Sequence, residues 1–416
     1  MIIKKHSFSF TIVEFLVVFG LIIFLIATAI FFIKPVNIFQ GIRDKQRIQD
    51  IEGIEYAINI IAESNRGTFN ELNYASSNVV YISLPDSSST CSSWLSQLPS
   101  LPSDWSYRCS ATPTDITGNG WIPIPFNSFS VVNLDRLPID PINKPPYYYS
   151  FVVGGSYKLS AKPESNYLPA IQDEGIEPLL YEAGTNKKLS TFQSGLVGYW
   201  PFDEGSGTTT KDLSGYGIDL TILPSSSMVI WTSGKSGYGL KYNSSASTGC
   251  RNDQFGIYQD IPSTSILYKL PQNDFTIILW DNYNSGANTL FHLSTQYGIT
   301  GCCNGFWVKN HSYIYVANSN KQDTGFSFSA PSNNIWHMYA YVFEKSKNSH
   351  RMYIDTIVRG SANNLSASYG DARKINIGIY DPTCVDAAKG TTFDEVRIYN
   401  RALSEDEIKA LYEATK

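Results

Sequence analysis

Hydrophobic and polar positions divide the chain into stretches of different period. Lys4 and Lys5 precede an apolar run from Phe10 to Ile33, broken only by Glu14 near its start. At about 1.5 Å per residue, a helix over this run would be long enough to cross a hydrocarbon core of roughly 30 Å. The pattern therefore predicts a membrane helix, with the two lysines keeping its N-terminus on the cytoplasmic side. A secretory signal peptide would end in a small-residue cleavage site, whereas this run continues to Lys34-Pro35 without one. Beyond Pro35 the apolar positions become periodic. Ile48, Ile51, Ile54, Ile58 and Ile61 recur at steps of three or four, the stripe of an amphipathic helix, with Arg43, Asp44, Lys45, Arg47 and Asp50 between them. One long helix over 10–66, kinked at Pro35, is predicted.

From about Thr68 to Lys188 the runs shorten. Asn78 to Ile82 and Tyr147 to Val153 read as strands, and Gly154-Gly155 followed by Ser156-Tyr157-Lys158-Leu159 reads as a hairpin. A small antiparallel sheet packed on the helix is expected over 67–165. Residues 166–194 mix Pro, Glu, Asn and Gly without a period and read as a linker. From Gly195 to Lys416 strands alternate with glycine turns. Phe275 to Trp280, Trp336 to Val342 and Phe393 to Tyr399 mark the main strands, and Ser404 with Glu407 has capping-box spacing before a final short helix. The fold class is thus α+β: a long N-terminal helix, a small β head, and an all-β jelly-roll sandwich over 195–416.

Composition narrows the function. A net charge of −5 without a clustered basic face argues against a nucleic-acid partner. Charged residues are only 17% of the chain, which suits an exported β-rich protein. The six cysteines include no CxxC pair, so disulfides are expected: Cys91 with Cys109 as a local pair, and Cys250, Cys302, Cys303 and Cys384 as candidates for two further bridges of undetermined connectivity. The alternative is free buried thiols.

Glu14 gives the N-terminal run its chemistry, because a carboxylate in an apolar helix needs a partner. Ser9-Phe10-Thr11-Ile12-Val13-Glu14-Phe15-Leu16-Val17-Val18 resembles the cleavage and assembly motif of type IV prepilins and pseudopilins. The resemblance implies a leader over 1–9, cutting between Ser9 and Phe10 by a prepilin peptidase, methylation of the new Phe10 amine, and pairing of Glu14 with that amine on a neighbouring pilin subunit. Ser9 stands where the family usually has glycine. The run from Arg43 to Asp50 resembles the point where a pseudopilin helix enters its head, and Leu137-Pro138-Ile139-Asp140-Pro141-Ile142-Asn143 resembles the end of such a head.

In the C-terminal half, Trp200-Pro201-Phe202-Asp203-Glu204-Gly205, Trp336-His337 and Asp394 to Ser404 resemble three markers of laminin G-like, concanavalin A-like domains. This resemblance implies a two-sheet jelly roll that binds a glycan or a surface protein. No cofactor is required; the resemblance implies a structural calcium ion, with Asp203, Asp212, Asp219 and Asp394 as ligand candidates. Tyr216 and Ile218 stand where relatives have asparagine, and turn formation by these aspartates is the competing reading. No enzyme is expected, since no strand carries the spaced carboxylates of a glycosidase and the adjacent Asp394 and Glu395 would face opposite sides of a sheet. The expectation is a minor pilin or pilus-tip subunit of a bacterial cell envelope, anchored by one inner-membrane pass before assembly and displaying an adhesive lectin-like domain. The alternatives are a pseudopilin of a type II secretion or DNA-uptake machine, and a membrane-anchored glycan-binding protein.

Overall fold

The computed structural model describes residues 11–33, 35–65, 69–165, 173–223, 228–243, 248–250, 256–284, 289–294, 305–309, 312–317, 323–365, 370–379 and 384–416. Two helices lead the chain, α1 (Ile12–Ile33) and α2 (Pro35–Ser64), in place of one long helix over 10–66. Lys34 between them lies outside the described residues, and α2 opens on Pro35, a residue that suits the first turn of a helix because it has no N–H to leave unpaired. Among the described residues no helix is long and apolar enough to cross a membrane. This overturns the single-pass placement in an inner membrane. The apolar run stops at Ile33, and α2 is amphipathic, with Asp44 and Arg47 buried against the head.

The head is a five-stranded sheet in the order β2-β1-β3-β4-β5, with β1 (Val79–Pro85), β2 (Ser106–Ser110), β3 (Tyr149–Val153), β4 (Tyr157–Ala161) and β5 (Tyr181–Ala183). Strand alternation gives it two buried faces. Tyr81, Tyr149, Phe151, Tyr157 and Leu159 pack with Ile51, Ile54, Ile58 and Ile61 of α2, while Val80, Ile82, Leu84, Tyr148 and Val152 pack beneath the loop closed by Cys91 and Cys109. The expected all-antiparallel sheet is corrected at one edge. β1 and β2 run parallel because the long loop from Asp86 to Trp105 carries the chain back to the starting end of β1. β5 lies within 166–194, the stretch whose composition reads as a linker.

The second lobe is a β-sandwich. Its strands are β6 (Leu196–Trp200), β7 (Thr209–Thr210), β8 (Leu220–Leu223), β9 (Val229–Ser233), β10 (Tyr238–Tyr242), β11 (Thr248–Cys250), β12 (Gly256–Asp260), β13 (Phe275–Asn282) and β14 (Thr289–Ser294). They continue as β15 (Gly305–Lys309), β16 (Tyr313–Ala317), β17 (Asp323–Ser327), β18 (Trp336–Glu344), β19 (Ser349–Ile354), β20 (Ile357–Asn363), β21 (Lys374–Ile377), β22 (Cys384–Asp386) and β23 (Thr392–Tyr399). The front sheet has the order β20-β19-β18-β13-β23-β10-β9, with β6 also on β23, and the back sheet β17-β16-β15-β14-β21-β12-β8-β7. β23 pairs with β10 through Phe393 and with β6 from Val396 onward. The change of neighbour falls at Glu395, whose φ of +55° makes a bulge there.

The central front-sheet strands β13 and β18 are apolar on both faces because both are covered. Ile277, Leu279, Tyr339, Tyr341 and Phe343 point into the core between the sheets, and Ile278, Trp280, Met338, Ala340 and Val342 point outward. Leu403, Ile408 and Leu411 cover that outer face from the start of, and along, the final helix α3 (Glu405–Thr415), which begins in the capping box formed by Ser404 and Glu407.

Candidate functional site

The two lobes are joined by a buried strip of chain. Thr191, Gln193 and Ser194 are almost inaccessible. Gln193 donates to the Tyr148 carbonyl at 2.7 Å, and its side-chain oxygen lies 3.1 Å from Ser160 Oγ, which places it on the outer face of the head sheet. Phe192 fits edge-on between Trp105 of the head, at 4.9 Å, and Tyr216 of the sandwich, at 5.3 Å. The Tyr216 hydroxyl donates to the Ser100 carbonyl. Arg401 donates to the Ser194 carbonyl at 2.6 Å, and Lys162 of the head pairs with Glu407 of α3 at 3.0 Å.

This junction leaves one open cleft of about 640 Å³, a size typical of small-ligand sites. One wall is the head loop Leu101 to Asp104; the other comprises β7 and β8, the end of β12 and the turn from Pro262 to Ile266. Asp104, Asp219, Asp260, Gln259, Thr209 and Thr221 supply oxygen acceptors and an amide, while Leu101, Pro102, Ile218 and Ile266 supply apolar surface. Tyr216 lies on its wall, fixed by the contacts just described. Asp260 is loosely paired with Lys374 at 3.8 Å, Asp219 with Lys211 at 2.5 Å, and Asp104 accepts from the Asn78 amide at 3.0 Å.

The four calcium candidates lie in two groups, and their oxygens are taken by N–H donors. Asp212 accepts from the backbone of Tyr199, Ser214 and Ile218 at 2.9–3.0 Å, and Asp219 accepts from the backbone of Asp212 at 3.0 Å. Asp394 accepts from Lys235, Ser236 and Glu395, and Asp203 from Tyr238. Burial pushes the Asp394 carboxyl up to about 8 and also raises Asp203 and Asp212. Among the described residues no group of three or more His, Cys, Asp or Glu is placed to hold a metal ion. In this arrangement Asp212 caps its own turn at Ser214, while Asp203 and Asp394 tie down the distant turn from Lys235 to Tyr238.

Of the other sequence candidates, Ser9, Phe10, Cys302 and Cys303 lie outside the described residues. Cys91 and Cys109 form the local disulfide, with Cα atoms 5.1 Å apart. Glu14 accepts from the Thr11 backbone and hydroxyl, each at 2.8 Å, and these bonds hold its carboxyl below the usual range. Asp104, Gln259 and Asp260 carried no local signal, because two distant segments bring them together. Tyr216 did carry one: it replaces an expected polar residue, and the structure uses its ring to join the lobes.

Residues 253–409 match the concanavalin A-like lectin/glucanases superfamily. The chain carries a concanavalin A-like lectin domain. A comparison with curated protein sequences gives no match. Among solved structures, the chain is similar to the receptor binding domain of botulinum neurotoxin D (14% identity, 53% of this chain and 52% of that one, TM-score 0.41). It is also similar to the binding domain of Paraclostridial Mosquitocidal Protein 1 (18% identity, 52% of each chain, TM-score 0.40) and to a Trypanosoma rangeli sialidase in complex with 2,3-difluorosialic acid (14%, 52% and 33%, TM-score 0.38). The chain spans about half or less of the length of each of these structures.

Proposed function

We propose that this protein binds carbohydrate through the cleft between head and lectin-like domain, and does so without catalysis. The observation that carries this reading is the cleft itself, where a rim of oxygen acceptors beside an apolar floor matches the hydroxyl edge and C–H face of a sugar ring. The absence of a catalytic role rests on Asp394 and Glu395. Glu395 is committed to Arg397 at 2.5 Å and to the Tyr199 hydroxyl, Asp394 is buried among backbone N–H donors, and neither lines the cleft. The test is retention of the full chain on immobilised oligosaccharides. Gln259→Ala and Asp104→Ala are each expected to weaken binding about 10-fold, the loss of one hydrogen bond to a ligand. Lack of retention on any glycan, or unchanged binding by both variants, would sink the reading.

The N-terminal helices favour a filament role for the same protein, as a minor or tip subunit related to type IV pilins, or as a pseudopilin. Ile12, Val13, Phe15, Leu16 and Phe19 of α1 are all more than half exposed, and apolar surface of that extent calls for cover. Helices of neighbouring subunits would provide it, with Glu14 exchanging Thr11 for the Phe10 amine of the next subunit after a prepilin peptidase has cut behind Ser9. The check is intact-mass and N-terminal analysis of protein sheared from native cells: a chain beginning at methylated Phe10 supports assembly, and one beginning at Met1 removes it.

A further inference from the structure

Two strands stand apart from both sheets of the lectin-like domain. Among the described residues, β11 and β22 pair with each other and with no further strand, antiparallel, and Cys250 lies directly opposite Cys384. The ribbon occupies a corner of the sandwich. β11 carries the chain from β10 of the front sheet to β12 of the back sheet, and β22 returns it from β21 at the back to β23 at the front.

From this register we propose that Cys250 and Cys384 form a disulfide that ties the corner shut. Opposed residues of an antiparallel pair have Cα atoms about 4.5 or 5.5 Å apart, according to the kind of pair, and both separations lie within the span a disulfide bridges. The flank toward the back sheet agrees with this register. Ile257 pairs with Ile377, and the steps from Cys250 to Ile257 and from Ile377 to Cys384 are equal along the two chains. On the other side Lys241 pairs with Thr392. Tyr242 pins both flanks, its hydroxyl donating to the Ile377 carbonyl at 2.6 Å and accepting from the Ile257 N–H at 3.0 Å. Gly378, at φ +68°, leaves room for the Tyr242 ring, which a Cβ there would meet at 2.3 Å.

In the reaction the two thiols lose two protons and two electrons by thiol–disulfide exchange. A protein disulfide donor takes up the electrons and leaves as a dithiol, and the Cys91–Cys109 bond requires the same class of oxidant. The bridge also resolves the pairing that composition left open, leaving Cys302 and Cys303 outside it.

The experiment is a non-reducing peptide map of the full chain purified from an oxidising compartment, with the Cys91–Cys109 peptides reporting that oxidation has occurred. The expected result is a linked pair carrying Cys250 and Cys384, separated by reductant. If, with Cys91 and Cys109 linked, either cysteine is bound to Cys302 or Cys303, or both are alkylated, the proposal is overturned. Melting gives a second measurement: Cys250→Ser, Cys384→Ser and the double variant should each lower Tm by the same amount, about 5–10 °C. Additive losses would overturn it as well.

Discussion

At the scale of single residues, the strongest device is a buried charge cluster that locks α2 to the head. Arg47 donates to Asp140 at 2.6 and 3.0 Å, to Asp44 at 2.8 Å and to Glu164 at 2.7 Å, while its guanidinium lies over the Tyr147 ring. Burial alone would lower its pKa, but the bonds and charge of Asp140, with Glu164 and Asp44, raise it instead. Removing one partner of such a cluster leaves the others desolvated and unpaired. Arg47→Ala is therefore expected to cost about 3–5 kcal/mol of unfolding free energy in denaturant melts. Lys416→Ala, at an exposed end, should change stability by less than about 0.5 kcal/mol; equal effects of the two would refute the account. Sequence gave only half of this arrangement. The charges of Arg43 to Asp50 stood out on the helix, but nothing local marked Asp140 as their partner, because 93 residues separate it from Arg47. Its Oδ1 does accept from the Ile142 backbone as a turn former would, and the same carboxylate also binds the arginine.

At the scale of elements, legibility follows locality. The capping box of α3 was visible in sequence because its partners are three residues apart, and the structure forms both of its bonds. Ser404→Ala should cost about 1 kcal/mol. Its effect should reach the front sheet, since α3 stacks Tyr412 on Trp280 at 5.5 Å, so loss of Trp280 fluorescence structure in melts should track loss of the helix signal. The long β strands were equally plain. By contrast, the parallel pairing of β1 and β2 was not legible, because nothing in two short apolar runs states their relative direction; the connecting loop decides it. That loop is closed by a disulfide over a separation of 18 residues, and Cys91→Ser is expected to lower stability by about 3 kcal/mol, measurable in the same melts. A loss no larger than that of a surface variant would mean the loop is held by packing alone.

For the whole molecule, buried acids set the response to pH. Burial pushes Asp173 and Glu177 up to about 7 and Asp394 up to about 8, all above their unfolded values near 4. The folded state therefore binds more protons than the unfolded chain in this interval. The stability these groups contribute is complete below about pH 4 and lost as pH rises through 7–8. Glu407 opposes this at the acid end: burial would raise it, but Arg401 and Lys162 hold it at about 2, so its contribution is lost as pH falls from about 4 toward 2. Calorimetry should find Tm rising as pH is lowered from 8.5 to about 5 and falling again below 4. A flat profile between 8.5 and 5 would mean that these carboxyls are hydrated. The strand pattern of the sandwich was legible, but the cleft beside it arises from tertiary packing of Phe192, Trp105 and Tyr216, and no local period encodes it.

The buried strip from Thr191 to Ser194 has a mechanical consequence. If the proposed sugar occupies the cleft, it touches both lobes, and a pull on it would be taken up by the Gln193 and Arg401 hydrogen bonds and the Lys162–Glu407 pair before any chain can straighten. There is no slack to reel out between the lobes. Tension would pass from the ligand through the head sheet into α2 as through a stiff rod, so the grip should yield by rupture of the sugar contacts rather than by stretching of the protein.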